Sequence, residues 1–358
     1  MRLSGNKGEW SELYVLLKLL STGELYAADE SLKRIKDVYY PILKIIRDED
    51  EGKHLEYVIV SEEHGIEVHW NAEMIRTVTQ KEMAKRAAFL YEKIIEGGGK
   101  RAFEIPGADK IMDELACTKI AAPSTDKTDI TMQIHDINTG YEPICGFSIK
   151  SELGSAPSLL NASGATNFVY EVSGISDELA EQINAIDTKT KILDRIQMIL
   201  NNGTIKYSHM KNKVFSGNLM LIDTYMEEII AHMLMLYYEN KATDCDKIIE
   251  IIEKQNPLGY PRKGIYAFKL KKFLCSIALG MKPSKEWDGH DEANGGYVIV
   301  KDDGEVLAYH IYNRDAFEGY LLKNTRLERG STSKHGFATL YKENGKMYIN
   351  LNLQVRFI

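Results

Sequence analysis

The sequence predicts an α/β (α+β) fold, in which a mixed sheet is flanked by helices and is followed by a helical block and a C-terminal β region. Three patterns lead to this prediction: helical spacing of apolar residues near the N-terminus, two-residue alternation in the middle, and helical spacing followed by short strands towards the C-terminus. A chain of 358 residues, 44% hydrophobic and 27% charged, has the composition of a globular protein that can bury a full core.

The N-terminal part of the chain combines helical and strand patterns. Apolar residues at three- and four-residue spacing predict an amphipathic helix over residues 7–20, which ends before Gly23. Strands are predicted over residues 55–60 and 66–70. A second helix is predicted over residues 73–96, because a run of glycines follows it.

Two segments in the middle of the chain alternate between apolar and polar residues, which predicts two strands over residues 128–137 and 146–151. Asp129 lies on the polar face of the first strand, and Ser148 and Lys150 lie on the polar face of the second. Each strand therefore carries residues suited to chemistry on one face.

The remaining chain reads as one more strand, a set of helices and a set of terminal strands. The strand is predicted over residues 167–172, the helices over 176–200, 218–238, 244–254 and 265–280, and the terminal strands over 297–301, 306–312, 337–341 and 347–357. These patterns divide the chain into a core with the sheet at 1–175, a helical block at 176–285 and a C-terminal β region at 286–358.

Charge and apolar segments exclude several classes of protein. A net charge of −7 argues against a protein that coats DNA without specificity, because such affinity comes from cations that neutralise phosphates. Residues 321–358 nevertheless carry seven Lys and Arg against two Glu, a local charge of +5. The longest apolar stretch, near residues 229–238, is too short to cross a bilayer. We therefore expect a cytoplasmic protein with no membrane partner.

The four cysteines are widely spaced, with no Cys-x-x-Cys pair. This spacing indicates neither a zinc site nor a disulfide framework. We expect buried free thiols.

Asp129 and Lys150 point to the hydrolysis of a phosphodiester. This reaction needs a nucleophilic water, a cation on the non-bridging oxygen and stabilisation of the departing oxygen. Mg²⁺ prefers carboxylate oxygens such as those of Asp129, and a lysine beside it can orient the water. The arrangement resembles that of the PD-(D/E)xK nucleases, in which an acid stands where this chain has Ser148.

Since a neutral hydroxyl is a weak ligand for Mg²⁺, another carboxylate should complete the site. Glu12 and Glu9 lie on the predicted first helix, and nucleases of this superfamily often supply an acid from the helix before the sheet. Glu152 lies on the same strand face as Lys150 and is the third candidate.

Longer strings across the chain resemble the HpaII-type restriction endonucleases. They are residues 5–12, 126–130, 147–151, 159–163 and 325–335, in the expected order over nearly the whole chain. The resemblance implies a PD-(D/E)xK core within residues 1–175 and a type II restriction endonuclease that requires Mg²⁺. It further implies cleavage of double-stranded DNA at CCGG or a related short palindrome, 5′-phosphate and 3′-hydroxyl ends, and a DNA methyltransferase as genetic partner.

Two polar segments are predicted to contact the DNA. Arginine can read guanine through paired hydrogen bonds, and hydroxyls, amides and lysines suit phosphates. The candidates are Asn161, Ser163, Thr166 and Asn167 in the first segment and Arg326, Arg329, Ser331, Ser333, Lys334 and His335 in the second. Without a role in DNA binding, the first segment would consist of turn and cap residues, and the second would be a solvated basic loop.

Two other functions stay open at this point. Ser148 in place of an acid is compatible with a non-cleaving DNA-binding protein on a decayed nuclease fold. A metal-dependent phosphohydrolase of small substrates is less well supported, since it would leave the basic C-terminal segment without a purpose. The sequence also leaves the oligomeric state open, a homodimer included.

Overall fold

The computed structural model describes residues 3–49, 54–60, 64–98, 101–123, 127–137 and 139–358. Asp126, within one of the family-like strings, lies outside these residues. The chain divides into two compact units, which we call the first unit (Met1–Pro157 with Asp291–Phe317) and the second unit (Ser158–His290 with Glu318–Ile358). The three predicted segments, 1–175, 176–285 and 286–358, divide the chain differently.

The described residues contain helices and strands throughout. The helices are α1 Lys7–Thr22, α2 Gln80–Glu96, α3 Ala108–Glu114, α4 Asp177–Ala185, α5 Lys191–Asn202, α6 Lys213–Ile222, α7 Met226–Tyr238, α8 Cys245–Gln255, α9 Ile265–Leu279, α10 Arg314–Lys323 and α11 Thr332–His335. The strands are β1 Ser4–Gly5, β2 Glu24–Ala28, β3 Arg34–Asp48, β4 His54–Val60, β5 Gly65–Trp70, β6 Glu73–Thr79, β7 Phe103–Glu104, β8 Ile130–Ile134, β9 Ile144–Ser151, β10 Ser158–Leu160, β11 Asn167–Ser173, β12 Thr204–Met210, β13 Gly296–Val300, β14 Val306–His310, β15 Thr325–Leu327, β16 Leu340–Glu343, β17 Lys346–Asn352 and β18 Val355–Phe357. This mixed α/β fold confirms the predicted fold class at that level, while the PD-(D/E)xK core stays a prediction.

The first unit is built on a nine-stranded sheet in the order β2-β14-β13-β9-β8-β3-β4-β5-β6. The pairs β9–β13 and β2–β14 are parallel and the other neighbours are antiparallel, so the sheet is mixed as predicted. β2 also pairs with the first half of β3. The six strands β2, β14, β13, β9, β8 and β3 are therefore joined in a closed ring of pairings. β9 lies in the middle, between β8 and β13.

Helix α1 packs its apolar face into the core of the first unit. Its start is fixed by a capping box, in which the Asn6 side chain accepts from the Glu9 amide at 3.1 Å and Glu9 accepts from the Asn6 amide at 2.6 Å. Gly23 ends the helix with a φ of +68°. Trp10 and Leu13 are fully buried, which anchors the helix and with it the neighbouring Glu12.

The second unit has two small sheets and the helices α4 to α9 and α11. The sheet orders are β12-β11-β17-β16 and β10-β18-β15. Helix α10 crosses the boundary between the two units. Within the described part of the chain, no helix has the length and apolar character needed to span a membrane.

Several predicted elements need correction. The helix predicted over residues 73–96 begins only at Gln80, because residues 73–79 extend the sheet as β6 and Thr79 then caps the helix. The helix α10 lies within the region predicted as strands only. The strands β2, β3 and β12 were not predicted at all.

The longest missed strand, β3, contains residues that normally argue against a strand. Asp37 has a φ of +62°, and Pro41 has no amide hydrogen to donate. The strand exists because its long edges pair with β2, β4 and β8, so tertiary pairing outweighs local preference.

A substitution at Gly296, the first residue of β13, tests the close pairing of β13 with β14. Gly296 has a φ of +113°, and a Cβ atom there would lie 2.0 Å from the carbonyl oxygen of Tyr309. Gly107, in the same unit, has a φ of +91°, but its Cβ would meet only Phe89, at 3.8 Å.

We expect Gly107→Ala to cost about 1–3 kcal/mol of unfolding free energy through backbone strain alone. Gly296→Ala should cost clearly more, because a strand must also shift. Urea denaturation measures both, and equal losses would contradict the packing described.

Candidate active site

Asp129 immediately precedes β8 and is held by the neighbouring strand β9. Its backbone amide donates to the carbonyl of Phe147 at 2.9 Å. Its Oδ2 atom accepts from the Ser148 hydroxyl at 3.0 Å and from the amide of Ile149 at 2.6 Å. One carboxylate oxygen is therefore fixed, and the side chain has a defined direction.

Lys150 is linked to Asp129 through Ser148. The Lys150 ammonium donates to Ser148 Oγ at 3.0 Å and to the carbonyl of Ile149 at 3.1 Å. It also lies 5.4 Å from the ring centroid of Tyr297, on the paired strand β13. Since Ser148 is only 2% exposed, its hydroxyl forms a buried link between the Lys150 ammonium and the Asp129 carboxylate.

Glu12 comes to this group from α1. Its Oε2 accepts from the backbone amide of Ala122 at 2.8 Å. Burial and then the negative charge of Asp129 raise the pKa of Glu12 to about 8, against the opposing effects of the Ala122 hydrogen bond, Arg47 and Lys150. The pKa of Asp129 is also raised, chiefly by burial, although Lys150 counteracts it. The structure thus brings Glu12, Asp129 and Lys150 into one electrostatic group.

The other two candidate acids lie in different surroundings. Glu9 belongs to the capping box of α1, where its carboxylate accepts from the Asn6 amide. Glu152 is exposed, and the charges that act on it are those of Asp302, Lys301 and Asp303. The charges of Asp129 and Lys150 both act on the pKa of Glu12.

The pair of carboxylates fits a hard divalent cation. Among the described residues, no group of three His, Cys, Asp or Glu side chains could hold a metal. Mg²⁺ needs fewer, because it is commonly held by one or two carboxylates and keeps several waters. Burial raises the pKa of both half-buried acids, and the charge of Asp129 raises that of Glu12 further. A cation beside them would offset that cost.

In the second unit, hydrogen bonds join the two segments that were predicted to contact DNA. The Asn167 side-chain amide donates to the carbonyl of His335 at 2.9 Å. Asn352 donates to Asn167 Oδ1 at 2.6 Å, and its amide also reaches the Ser163 carbonyl at 2.7 Å. Residues 161–167 and 329–335 therefore form one surface region, which we call the polar loop pair.

The members of the polar loop pair differ in exposure. Asn161, Arg329, Ser331, Ser333 and Lys334 are exposed, while Ser163 and His335 are half-buried, as is the nearby Arg326. Thr166 and Asn167 are 0% and 1% exposed, so their side chains act within the protein. Arg326 lies 3.6 Å from Glu328, a contact that partly neutralises it.

Some residues of these regions escaped prediction from the sequence. Ala122 acts through its backbone amide, which nearly every residue type possesses, so no residue pattern could have marked it. Arg47 lies in the unpredicted strand β3. Asn352 alternates with the apolar Leu351 and Leu353 like a solvent-facing strand residue, so no sequence pattern indicated that it is only 1% exposed.

Comparison with known proteins identifies the family. The family described as HpaII restriction endonuclease matches residues 6–357 of the chain. The type II restriction enzyme HpaII of Haemophilus parainfluenzae is 41% identical over 359 residues, which cover 99% of this chain and 99% of that protein. No solved structure matches the chain. The match over nearly the full length shows that the chain belongs to the HpaII restriction endonuclease family.

Proposed function

We propose that the chain hydrolyses double-stranded DNA with Mg²⁺ at the group formed by Asp129, Glu12 and Lys150. As a member of this family it is an enzyme, a type II site-specific deoxyribonuclease. The observation that carries the chemical proposal is the hydrogen-bonded series from Lys150 through Ser148 to Asp129, with Glu12 beside it.

Each residue of the group has a distinct task in the proposed mechanism. Asp129 and Glu12 would hold Mg²⁺, which supplies Lewis-acid stabilisation of the charge on the phosphate. The Lys150 ammonium orients the attacking water and offsets the negative charge that builds up during attack. Ser148 holds Lys150 and Asp129 at a fixed separation, because its hydroxyl accepts from one and donates to the other.

Ser148 does not supply the charge that an acid would at this position. Glu12, arriving from α1, brings the second carboxylate instead. Its Oε2 already accepts from the Ala122 amide, which leaves Oε1 for a cation. This division of roles explains how a site without the usual second acid on the strand can still bind Mg²⁺.

The DNA-binding proposal rests on the exposed members of the polar loop pair. Arg329 and Lys334 offer cations to phosphates or to guanine, and Ser331 and Ser333 offer hydroxyls. Thr166 and Asn167 are assigned the internal task of holding the loops. By family resemblance, the proposed target is CCGG or a related palindrome, with 5′-phosphate ends, in the cytoplasm of a cell that also has the matching methyltransferase.

Ser148 also motivates a second candidate, a DNA-binding protein that does not cut. A gel-shift assay next to a digest with varied divalent cations separates the two. Binding without cut products under every cation would favour the second candidate.

Replacing Lys150 tests the mechanism most directly. We expect Lys150→Ala to slow cleavage by about 10²–10⁴-fold, the range typical of a positioned proton-transfer or orienting group. DNA binding in a gel shift should remain. Lys44→Ala is the control, since it removes a lysine of the same sheet that pairs with Glu56. Full plasmid cleavage by Lys150→Ala would remove Lys150 from the mechanism.

Glu12→Gln should separate stability from activity. Because the pKa of Glu12 is raised to about 8 in the cation-free protein, its protonated form is favoured there, and stability is lost as pH rises from the ordinary range of a carboxyl through that value. Without cations, we therefore expect the variant to melt above the wild type at about pH 9 and to match it below about pH 4.5.

With Mg²⁺, cleavage by Glu12→Gln should fall by at least about 10²-fold, since a ligand of the cation is lost. Wild-type cleavage at limiting Mg²⁺ should increase between about pH 7 and pH 9, because binding of the cation must displace a proton. Melting curves in EDTA and cleavage rates across pH provide both measurements. A variant that melts below the wild type at high pH would contradict the electrostatic account.

Removing Arg329 and Lys334 together should weaken DNA binding through the phosphates. If each contacts one phosphate, the slope of log affinity against log salt should fall by about 2 for the double alanine variant. The matched control is the double alanine variant at Lys342 and Lys346, exposed lysines of the same unit that pair with Asp177 and Glu171. An unchanged salt slope would show that Arg329 and Lys334 do not contact the phosphates.

A further inference from the structure

The Ala122 amide, which donates to Glu12, belongs to the segment of residues 115–122. Polar side chains of the sheet donate hydrogen bonds to the backbone of this segment. Tyr57, in β4, donates its hydroxyl to the carbonyl of Leu115 at 2.8 Å. Arg47, in β3, donates to the carbonyl of Lys119 at 2.8 Å. These contacts attach the segment to the sheet up to Lys119, three residues before Ala122.

The carboxylate of Glu49 accepts three hydrogen bonds from this segment. Its Oε2 atom accepts from the Thr118 amide at 2.7 Å, from the Thr118 hydroxyl at 2.6 Å and from the Lys119 amide at 3.0 Å. Its Oε1 atom accepts from Arg47 Nε at 2.9 Å. The Glu49 side chain is completely buried although Thr118 is exposed, so the carboxylate depends on these charge-assisted hydrogen bonds in place of water.

Nothing in the hydrolysis mechanism uses Glu49. A buried carboxylate is costly unless it is paired and hydrogen-bonded, and here every contact is directed at Arg47 or at the segment 118–119. The geometry therefore indicates a carboxylate whose task is to fix the backbone that follows.

We propose that Glu49 is a positioning residue for Glu12: it fixes residues 118–122 so that the Ala122 amide meets Glu12 Oε2 and holds that carboxylate in the orientation that a cation requires. This inference rests on the proposed role of Glu12 in holding Mg²⁺. Outer partners of metal ligands commonly act in this way, by restricting the rotamer of the ligand. Arg47 supports the same arrangement, because it pairs with Glu49 and also binds the segment directly.

Glu49→Gln tests the proposal, since the amide replaces one acceptor oxygen with a donor and removes the charge that pairs with Arg47. Hydrogen exchange should become faster in residues 115–122. Binding of Mn²⁺, measured by electron paramagnetic resonance of the free ion, should weaken by about 10–100-fold. The Mg²⁺ concentration for half-maximal cleavage should rise by the same factor, while cleavage at saturating Mg²⁺ changes much less.

Glu56→Gln is the matched control, because it breaks the Lys44–Glu56 ion pair of the same sheet without touching residues 115–122. Thr118→Val offers a milder change if Glu49→Gln fails to fold, since it removes only the hydroxyl donor to Glu49. A shift of Mn²⁺ affinity in Glu49→Gln and, to a smaller degree, in Thr118→Val, but not in Glu56→Gln, supports the proposal.

Two outcomes would overturn it. One is wild-type Mn²⁺ affinity in a folded Glu49→Gln protein; the other is unchanged hydrogen exchange in residues 115–122. These readouts need no DNA cleavage, so they are distinct from a failure of the proposed function, which would show as wild-type protein that does not cut DNA with any divalent cation.

Discussion

The antiparallel pairing of β8 with β9 is the constraint on which the candidate site depends. It pairs Ile130 with Phe147 and so brings the preceding Asp129 to Ser148, where one carboxylate oxygen accepts from both the Ile149 amide and the Ser148 hydroxyl. The same hydroxyl then receives the Lys150 ammonium. A shift of the register by one residue would turn Ser148 and Lys150 to the opposite face of the sheet. Core packing of the first unit therefore preserves the register, because Phe147 and Ile149, the residues on either side of Ser148, are buried and their exposure would cost free energy.

The charges of the candidate site destabilise the cation-free protein, and the proposed cation would relieve that destabilisation. Glu12 and Asp129 are both in surroundings that favour their protonated forms, because of burial and, for Glu12, the charge of Asp129. Such an arrangement lowers the stability of the cation-free protein above the ordinary pKa of a carboxyl, and it favours any cation that lets both groups ionise. In the proposed mechanism, the two acids therefore lower the stability of the protein and raise its affinity for the cation, an exchange common at functional sites.

The sequence could predict the strand residues of the site, but not the contacts that orient its helix residue. The two-residue period alone placed Asp129, Ser148 and Lys150 on polar faces, since side-chain parity in a strand is local information. The pairing of Glu12 with Ala122 depends on β3, whose residues Asp37 and Pro41 argue against a strand. Tertiary pairing decides such a segment, and no pattern within the segment records it.

Ser148 is best understood through the charge balance of the whole group. A carboxylate at this position would lie within hydrogen-bond reach of Asp129, where like charges in a buried site oppose each other. A hydroxyl avoids that repulsion and can donate to Asp129 while it accepts from Lys150. The second negative charge then comes from Glu12 on α1, which Ala122 and Arg47 partly compensate. The geometry of the site consequently depends on how α1 and residues 118–122 are held, and this is why Glu49, which makes no contact with Glu12 itself, can matter for the proposed binding of a cation.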